Sequence, residues 1–209
     1  MFASGYYAFT KAQEPRLVHE EKKEMKKEAA LRYVGFNVND DREKDDFYPT
    51  PSEATQALLD RQKFTGNILE PACGDGAMSK VLINNGYQVI SSDLFDRGYG
   101  KTGVNFLETT EKVDNIITNP PFKLATEFTV HSLKLARHKV VMLSKITYLE
   151  GIRRKKLIFD QKKLQTVLIF TKRVAFKKPG SDSLAGGLMA FGWFVYDVNY
   201  SGQPTIEWI

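Results

Sequence analysis

The sequence predicts an α/β fold in which a largely parallel sheet carries helices on both faces. Apolar segments of strand length alternate with amphipathic helical segments, and a glycine turn follows the first of these strands. The last two apolar strands follow one another without a helix between them, which predicts an antiparallel hairpin at the end of the sheet.

The composition is that of a globular protein with one main domain. The 209 residues are 42% hydrophobic and 26% charged, and no apolar run approaches the roughly 20 residues that a membrane helix requires. We therefore expect no membrane association. The start of the chain lacks the basic and apolar regions of a secretory signal, and Cys73 is the only cysteine, so we expect a reducing, cytoplasmic environment.

The first part of the chain differs from the rest in charge pattern. Residues 16–34 alternate acidic and basic side chains along a predicted helix with a thin apolar stripe, and residues 37–46 are polar and acidic. We predict a charged helical arm and linker over residues 1–45 and the main domain over residues 46–209.

The main domain is predicted to begin with a helix from Thr50 to Arg61. Thr50 is expected to be its N-cap, Pro51 its first residue, and Glu53 the residue that completes a capping box. Two further helices are predicted at residues 78–84 and 123–137. Strands are predicted at residues 68–69, 87–91, 104–106, 115–118, 139–143, 165–170 and 190–196.

A glycine turn connects the first strand to the second helix. Gly74 and Gly76 lie in this turn, and Asp93 follows the second strand 19 residues beyond Gly74. A glycine pair alone is weak evidence for a ligand site, since such pairs occur in many turns. In nucleotide-binding α/β units, however, an acidic residue about 20 residues beyond such a turn meets a ribose. The spacing therefore predicts a nucleotide-like ligand at the carboxyl ends of the strands.

The segment Asn119-Pro120-Pro121-Phe122 lies where a strand ends and a helix begins. The prolines stiffen the backbone, and the Asn119 amide oxygen and the Pro120 carbonyl oxygen could together accept both hydrogens of a primary amine. Methyl transfer to an exocyclic ring amine requires such acceptors. Phe122 offers a flat surface on which an extruded base can stack. The alternative is a rigid loop with a core phenylalanine.

Positive charge is concentrated in one stretch. Residues 134–178 contain 14 basic and 2 acidic side chains, whereas the whole chain carries a net charge of +5. Nucleic acid is one partner that this charge would attract, and a solvated basic face is the equally weighted alternative.

Several segments taken together resemble a known family. These are, in order, Phe47-Tyr48-Pro49-Thr50-Pro51, Glu70-Pro71-Ala72-Cys73-Gly74-Asp75-Gly76, Asp93, Asn105-Phe106 and Asn119-Pro120-Pro121-Phe122. Over residues 46–200 the chain resembles the S-adenosylmethionine-dependent amino methyltransferases that modify DNA adenine at N6. More narrowly, it is similar to the small enzymes of bacteriophages and prophages.

The resemblance implies a seven-stranded, Rossmann-like methyltransferase sheet in a protein of a bacterial or phage-infected cell. It places the methionine end of S-adenosylmethionine near Thr50 and the glycine turn, the ribose at Asp93, the adenine at Phe106 and Asn105, and the target base at Asn119, Pro120, Pro121 and Phe122. The implied cofactor residues are Tyr48, Thr50, Glu70, Pro71, Ala72, Gly74, Asp75, Gly76, Asp93, Leu94, Asn105, Phe106 and Asn119. Asn105 departs from the aspartate that the family often has, and an uncharged amide can still accept one hydrogen bond.

The basic stretch supplies the residues expected to contact DNA. They are Arg153, Arg154, Lys155, Lys156, Lys172, Arg173, Lys177 and Lys178, with Phe176 as a support for the flipped base. Only residues 145–190 remain for reading sequence, so we expect a short or relaxed target site. The Gly/Ser-rich stretch from Pro179 to Gly187 is expected to be a loop that could close over nucleic acid, or a plain connection.

The sequence thus predicts a DNA adenine-N6 methyltransferase that uses S-adenosylmethionine, and no metal because its histidines are scattered. Phe122 stands where cytosine-C5 chemistry would need a nucleophilic cysteine. The alternatives are RNA adenine as substrate, a protein glutamine amide as a less favoured substrate, and a nucleic-acid-binding protein without catalytic activity.

Overall fold

The computed structural model describes residues 47–177, 184–185 and 189–209. The predicted arm and linker over residues 1–45 lie outside the described residues, as do Lys178 and most of the predicted loop from Pro179 to Gly187.

Four α-helices and several short 3₁₀ helices connect the strands of the described chain. The α-helices are α1 (Ser52–Arg61), α2 (Ala77–Asn84), α3 (Ala125–Leu135) and α4 (Ile152–Leu157). The 3₁₀ helices are Phe106–Glu108, Phe122–Leu124, Ile146–Leu149 and Phe159–Gln161.

Seven strands form one mixed sheet, as the sequence predicted. The strands are β1 (Ile68–Glu70), β2 (Val89–Ser91), β3 (Val113–Thr118), β4 (Ala136–Lys145), β5 (Leu164–Ile169), β8 (Phe191–Asp197) and β9 (Thr205–Trp208), in the order β2-β1-β3-β4-β8-β5-β9. Strands β2, β1, β3 and β4 are parallel, and β8 lies antiparallel between β4 and β5. A separate pair, β6 (Phe176–Lys177) and β7 (Leu184–Ala185), is antiparallel. The predicted fold class is therefore confirmed.

Successive side chains of a strand point to opposite faces of the sheet, so the apolar residues form two cores, one on each face. On one face, Ile117 and Trp193 pack with Leu58 of α1 and Leu82 of α2. On the other face, Ile116, Phe194 and the α3 residues Phe128 and Leu135 form the second core. The Trp193 Nε1 donates to the Ala54 carbonyl at 2.9 Å and so fastens α1 to the sheet.

The predicted capping box at Thr50 is wrong. Pro51 occupies the N-cap position of α1, and no side chain caps this helix. The Thr50 hydroxyl instead accepts a hydrogen bond from the Asn119 amide at 3.2 Å. A long-range partner has therefore replaced the local one.

The predicted strand at Val104 to Phe106 is also wrong. Phe106–Glu108 form a 3₁₀ helix, and the Asn105 side chain caps it by accepting the Leu107 N–H at 3.2 Å. Asparagine readily bonds to nearby backbone in this way and competes with a strand ladder. Strand β9 was not predicted, because its four residues are all exposed and lack a buried face.

The strand order places a topological switch point at the carboxyl ends of β1 and β3. The chain passes from β1 to β2 on one side and then crosses to β3 on the other side of β1. In open α/β sheets such a switch point is where ligands bind.

Candidate active site

Asn119 follows β3 at the switch point and is held in one orientation. Its Nδ2 donates to the Tyr48 carbonyl at 3.3 Å and to the Thr50 hydroxyl at 3.2 Å. A carbonyl can only accept, so this contact determines which side of the amide carries the nitrogen. The Asn119 Oδ1 therefore points the other way.

The Asn119 Oδ1 is buried and has no hydrogen-bond partner among the described residues. Leaving a buried acceptor unpaired costs about 1–3 kcal/mol. The oxygen is thus a fixed acceptor suited to a donor on a bound molecule. This acceptor was predicted from the sequence, whereas the contacts with Thr50 and Tyr48 that hold it were not.

Prolines shape the backbone that follows Asn119. Pro120 is buried and Pro121 is partly buried, and the Pro121 carbonyl accepts the Leu124 N–H at 2.8 Å. This bond closes the 3₁₀ turn that carries Phe122 and leads into α3. Phe122 therefore lies within one turn of Asn119.

Aromatic rings gather around Phe122. The Tyr48 ring stacks with it at a centroid distance of 6.1 Å, and Phe191 lies at 5.8 Å. The Lys145 ammonium lies 5.3 Å from the centroid of the same ring. Phe176 is buried and packs edge-on against the rings of Tyr48 and Phe191. Tyr48, predicted at the cofactor, thus lies against the predicted base site.

The glycine turn has the backbone conformation that only glycine adopts easily. Gly74 and Gly76 have φ values of +55° and +80°. A Cβ at Gly74 would collide with the Phe47 ring, and one at Gly76 with the Tyr99 ring. The packing of these two rings on the turn was not predicted, because no local pattern in the sequence connects them to it.

Asp93 bonds to the glycine turn, and its predicted contact with a ribose stays a prediction. Its Oδ2 accepts the Gly74 N–H at 2.9 Å, and its Oδ1 accepts the Phe95 N–H at 2.9 Å. Each carboxylate oxygen retains capacity for a further donor. The next residue, Leu94, leaves half of its side chain exposed and offers an apolar surface beside this carboxylate.

Glu70 is the last residue of β1, directly before the turn. Its carboxyl group is buried and accepts a hydrogen bond from the Ser79 hydroxyl, which in turn contacts the Ser91 hydroxyl at 2.6 Å. Burial is the main cause that raises the pKa of Glu70 to about 8. Burial likewise raises the pKa of the Cys73 thiol to about 12, so this cysteine is a poor nucleophile.

The other residues predicted in the turn are divided between buried and partly exposed positions. Pro71 is buried, whereas Ala72 and Asp75 are partly exposed. The Asp75 Oδ1 accepts the Ala77 N–H at 3.1 Å and so stabilises the start of α2.

Asn105 and Phe106 form bonds and contacts within the protein. Besides capping its 3₁₀ helix, Asn105 donates from Nδ2 to Glu108 at 2.6 Å. Phe106 is buried, with the rings of Phe128 and His131 each at 5.0 Å. Their predicted contact with a cofactor adenine stays a prediction.

The predicted DNA-contacting cations differ in their surroundings. Arg153 pairs with Glu127 at 2.8 Å, and Lys155 pairs with Asp160 at 2.6 Å. Arg154 donates to the Glu150 carbonyl and lies over the Tyr148 ring. The remaining described side chains, Lys156, Lys172 and Arg173, are exposed. Lys177 belongs to β6, and Lys178 lies outside the described residues.

Within the described ranges there is no group of three or more His, Cys, Asp or Glu residues that could hold a metal ion. Over the same ranges, no helix is long and apolar enough to cross a membrane.

The chain shares its fold with methyltransferases of known structure. A candidate RNA methyltransferase from Pyrococcus horikoshii matches at a TM-score of 0.56 and 16% identity, covering 82% of this chain and 97% of the other. A modification subunit of a candidate type I restriction enzyme from Vibrio vulnificus matches at 0.57 and 14% identity over 96% of this chain, which spans only 53% of that subunit. A candidate class I S-adenosylmethionine-dependent methyltransferase from Listeria monocytogenes matches at 0.57 and 12% identity, over 91% of this chain and 73% of the other.

At these identities the likeness concerns the fold: the chain has the α/β fold of methyltransferases. No protein-family model matches the chain, and no curated protein sequence matches it.

Proposed function

We propose that this protein transfers a methyl group from S-adenosylmethionine to the N6 amine of adenine in DNA. The observation that carries the proposal is the Asn119 amide, whose oxygen is buried and unpaired among the described residues while its nitrogen is anchored to Tyr48 and Thr50. An acceptor fixed in this way suits an incoming N–H donor. An exocyclic ring amine is the donor that the neighbouring Phe122 ring can accompany by stacking.

The chemistry of the amine explains why a fixed acceptor matters. The N6 lone pair is delocalised into the adenine ring, which makes the nitrogen a weak nucleophile. Hydrogen bonds from its two hydrogens to Asn119 Oδ1 and the Pro120 carbonyl favour a more tetrahedral nitrogen and place its lone pair toward the methyl carbon. The nitrogen then attacks in line, and its positive charge is relieved when a proton leaves to solvent.

The residues at the glycine turn fit the cofactor. S-adenosylmethionine supplies the electrophilic methyl group, and S-adenosylhomocysteine remains when the carbon–sulfur bond electrons stay on sulfur. Asp93, fixed by Gly74 and Phe95 and able to accept more hydrogen bonds, would hold the ribose hydroxyls. Leu94 would cover a face of the adenine, and the backbone at Gly74 and Gly76 would border the methionine part.

Charge and fold support nucleic acid as the substrate. The basic stretch lies in residues 134–178, and exposed Lys156 and Lys172 follow Asn119 in the same domain. Two structures with the same fold are described as a candidate RNA methyltransferase and as a restriction enzyme's modification subunit. The family resemblance of the segments around the site favours DNA over RNA.

The proposal is tested with isotope-labelled S-adenosylmethionine and three separate substrates: unmethylated DNA, total RNA and a protein extract. Label recovered as N6-methyladenine from DNA, and lost in Asn119→Ala, would support the proposal. Label only in RNA or in protein glutamine would keep the chemistry and replace the substrate. Cofactor binding without transfer to any substrate would favour a nucleic-acid-binding protein without catalytic activity.

A further inference from the structure

One apolar side chain is far more exposed than any other large one that the structure describes. Ile152 has 90% of its surface exposed, whereas the other exposed large hydrophobic residues range from 37% to 63%. Isoleucine gains nothing from this exposure, since apolar surface is unfavourable in water. The position therefore suits contact with something outside the chain.

The neighbouring residues tie Ile152 to the candidate active site. It begins α4 directly after Gly151, which turns the chain at a φ of +113°. Next to it, Arg153 pairs with Glu127 in the first turn of α3 at 2.8 Å. On its other side, the Tyr148 hydroxyl donates to the carbonyl of Ala125, the first residue of α3, at 3.3 Å.

Because α3 begins three residues after Phe122, these two contacts hold the segment 148–153 at the same end of the sheet as Asn119. The same segment follows closely after β4, whose last residue, Lys145, lies over the Phe122 ring. Ile152 is therefore exposed at the same end of the sheet as the predicted base site.

Resting on the proposed function, we infer that Ile152 is a wedge that enters the base stack of duplex DNA when the target adenine is extruded. An adenine that reaches Asn119 must leave the helix, and extrusion costs its stacking and pairing. Apolar side chains, isoleucine among them, are used by DNA-binding proteins to fill a disrupted base step. The gap that the extruded base leaves in the stack is bordered by the apolar faces of the neighbouring bases, which suits the uncharged side chain of Ile152.

The charge around Ile152 suits the same partner. Four basic residues, Arg153, Arg154, Lys155 and Lys156, follow it directly in α4. Lys156 is exposed, and the ion pairs of Arg153 and Lys155 are largely exposed to solvent, where such pairs are weak. Phosphates on either side of the extruded base can therefore approach these cations while Ile152 points into the stack.

The test compares one DNA in two states, so that no knowledge of the target site is required. Plasmid DNA of mixed sequence is offered native and heat-denatured to the wild type, Ile152→Ala and Ile152→Leu, with labelled S-adenosylmethionine. Ile206→Ala is the matched control, because Ile206 is also exposed but lies on the edge strand β9. Melting temperatures verify that the variants fold.

We expect Ile152→Ala to lower the initial rate on native DNA on the order of tenfold while changing the rate on denatured DNA less than about twofold, since only the duplex must be opened. Ile152→Leu should restore most of the native rate, and Ile206→Ala should match the wild type on both. The inference is overturned if Ile152→Ala leaves the native rate unchanged, if it lowers both rates equally, or if the wild type methylates only denatured DNA. Absence of transfer by the wild type to either DNA would instead overturn the proposed function itself.

Discussion

Two asparagines four positions apart, one inside strand β3 and one directly after it, differ in their surroundings. Asn115, inside the strand, is fully buried, and its Nδ2 donates to the carbonyls of Thr65 at 2.8 Å and Asn67 at 3.1 Å. Its Oδ1 accepts the Lys139 N–H at 3.3 Å. Asn119, just past the strand, has an anchored nitrogen and an oxygen without a partner among the described residues.

The two asparagines differ in whether their amide oxygens have a partner among the described residues. Asn115 satisfies backbone groups of the segment that enters β1, so its bonds belong to folding. Asn119 lies where the parallel strands end and the loops separate, and its position is determined by two bonds while its acceptor stays available. The same type of side chain therefore satisfies buried backbone groups inside the strand and keeps an acceptor available directly after it.

Asn119→Ala is expected to have the largest effect. Loss of one fixed acceptor at a reacting group should lower the rate of methyl transfer on the order of 10²- to 10³-fold. The melting temperature should change little, since the substitution also removes an unpaired buried oxygen. Initial rates with labelled S-adenosylmethionine, together with calorimetric binding of the cofactor, measure both. A variant that keeps the wild-type rate would remove Asn119 from the mechanism.

Glu70→Gln should change the pH dependence of stability. With a folded-state pKa of about 8, Glu70 stays protonated in the native chain, whereas the unfolded chain releases this proton above the ordinary value of 4.5. The contribution of Glu70 to the free energy of unfolding is therefore fully present below pH 4.5 and is lost as the pH rises through 8. The wild-type melting temperature should fall relative to that of Glu70→Gln between pH 5 and pH 8.5. Equal pH profiles for the two proteins would contradict this assignment.

Asn115→Ala should affect folding and not turnover. Removing it leaves buried backbone groups unpaired, which costs about 1–3 kcal/mol in the free energy of unfolding. For a chain of this size, each kcal/mol corresponds to roughly 2–4 °C in melting temperature. The rate per folded molecule should equal that of the wild type. A large loss of rate in the folded fraction would show that the two asparagines are not separate in role.

Thr50→Val should have a smaller effect on the rate, because it retains the shape of the side chain and removes one of the two acceptors that hold Asn119. Loss of one hydrogen bond of about 1 kcal/mol predicts a decrease in kcat of roughly fivefold. Thr50→Ser supplies the hydroxyl again and should restore the rate. Helix α1 should keep its stability in both variants, since Thr50 does not cap it.

Lys172→Ala is expected to have the smallest effect. The side chain is exposed, so the free energy of unfolding should stay within about 0.5 kcal/mol of the wild-type value. If Lys172 neutralises one phosphate, the slope of log affinity for duplex DNA against log salt should fall by about 0.9. Binding titrations at several salt concentrations measure this slope. An unchanged slope would assign Lys172 to the solvated surface.

The order of strands and helices was largely predictable because its causes are local. Apolar periodicity predicted β3, α3 and β4, and the strand, glycine turn and helix pattern around Gly74 predicted β1 and α2. The segment from Asn119 to Phe122 combines an amide, two stiff residues and a ring in adjacent positions. Its conformation therefore depends mainly on near neighbours.

Other features depend on partners far along the chain. Phe47 and Tyr99 pack on the glycine turn from positions that no short pattern connects to it. The exposed strand β9 is recognisable only from its pairing with β5.

Thr50 shows where sequence information ends. The sequence by itself determined that a helix follows this residue, that glycines turn the chain after β1, and that an asparagine, two prolines and an aromatic ring follow β3, because covalent geometry and near-neighbour periodicity suffice for each. Only the tertiary structure decided that the Thr50 hydroxyl serves Asn119, 69 residues away, and not the start of its own helix. A hydroxyl group can bond either to a backbone N–H of the following helix or to a distant side chain. The choice depends on which polar group the folded sheet brings within hydrogen-bond distance.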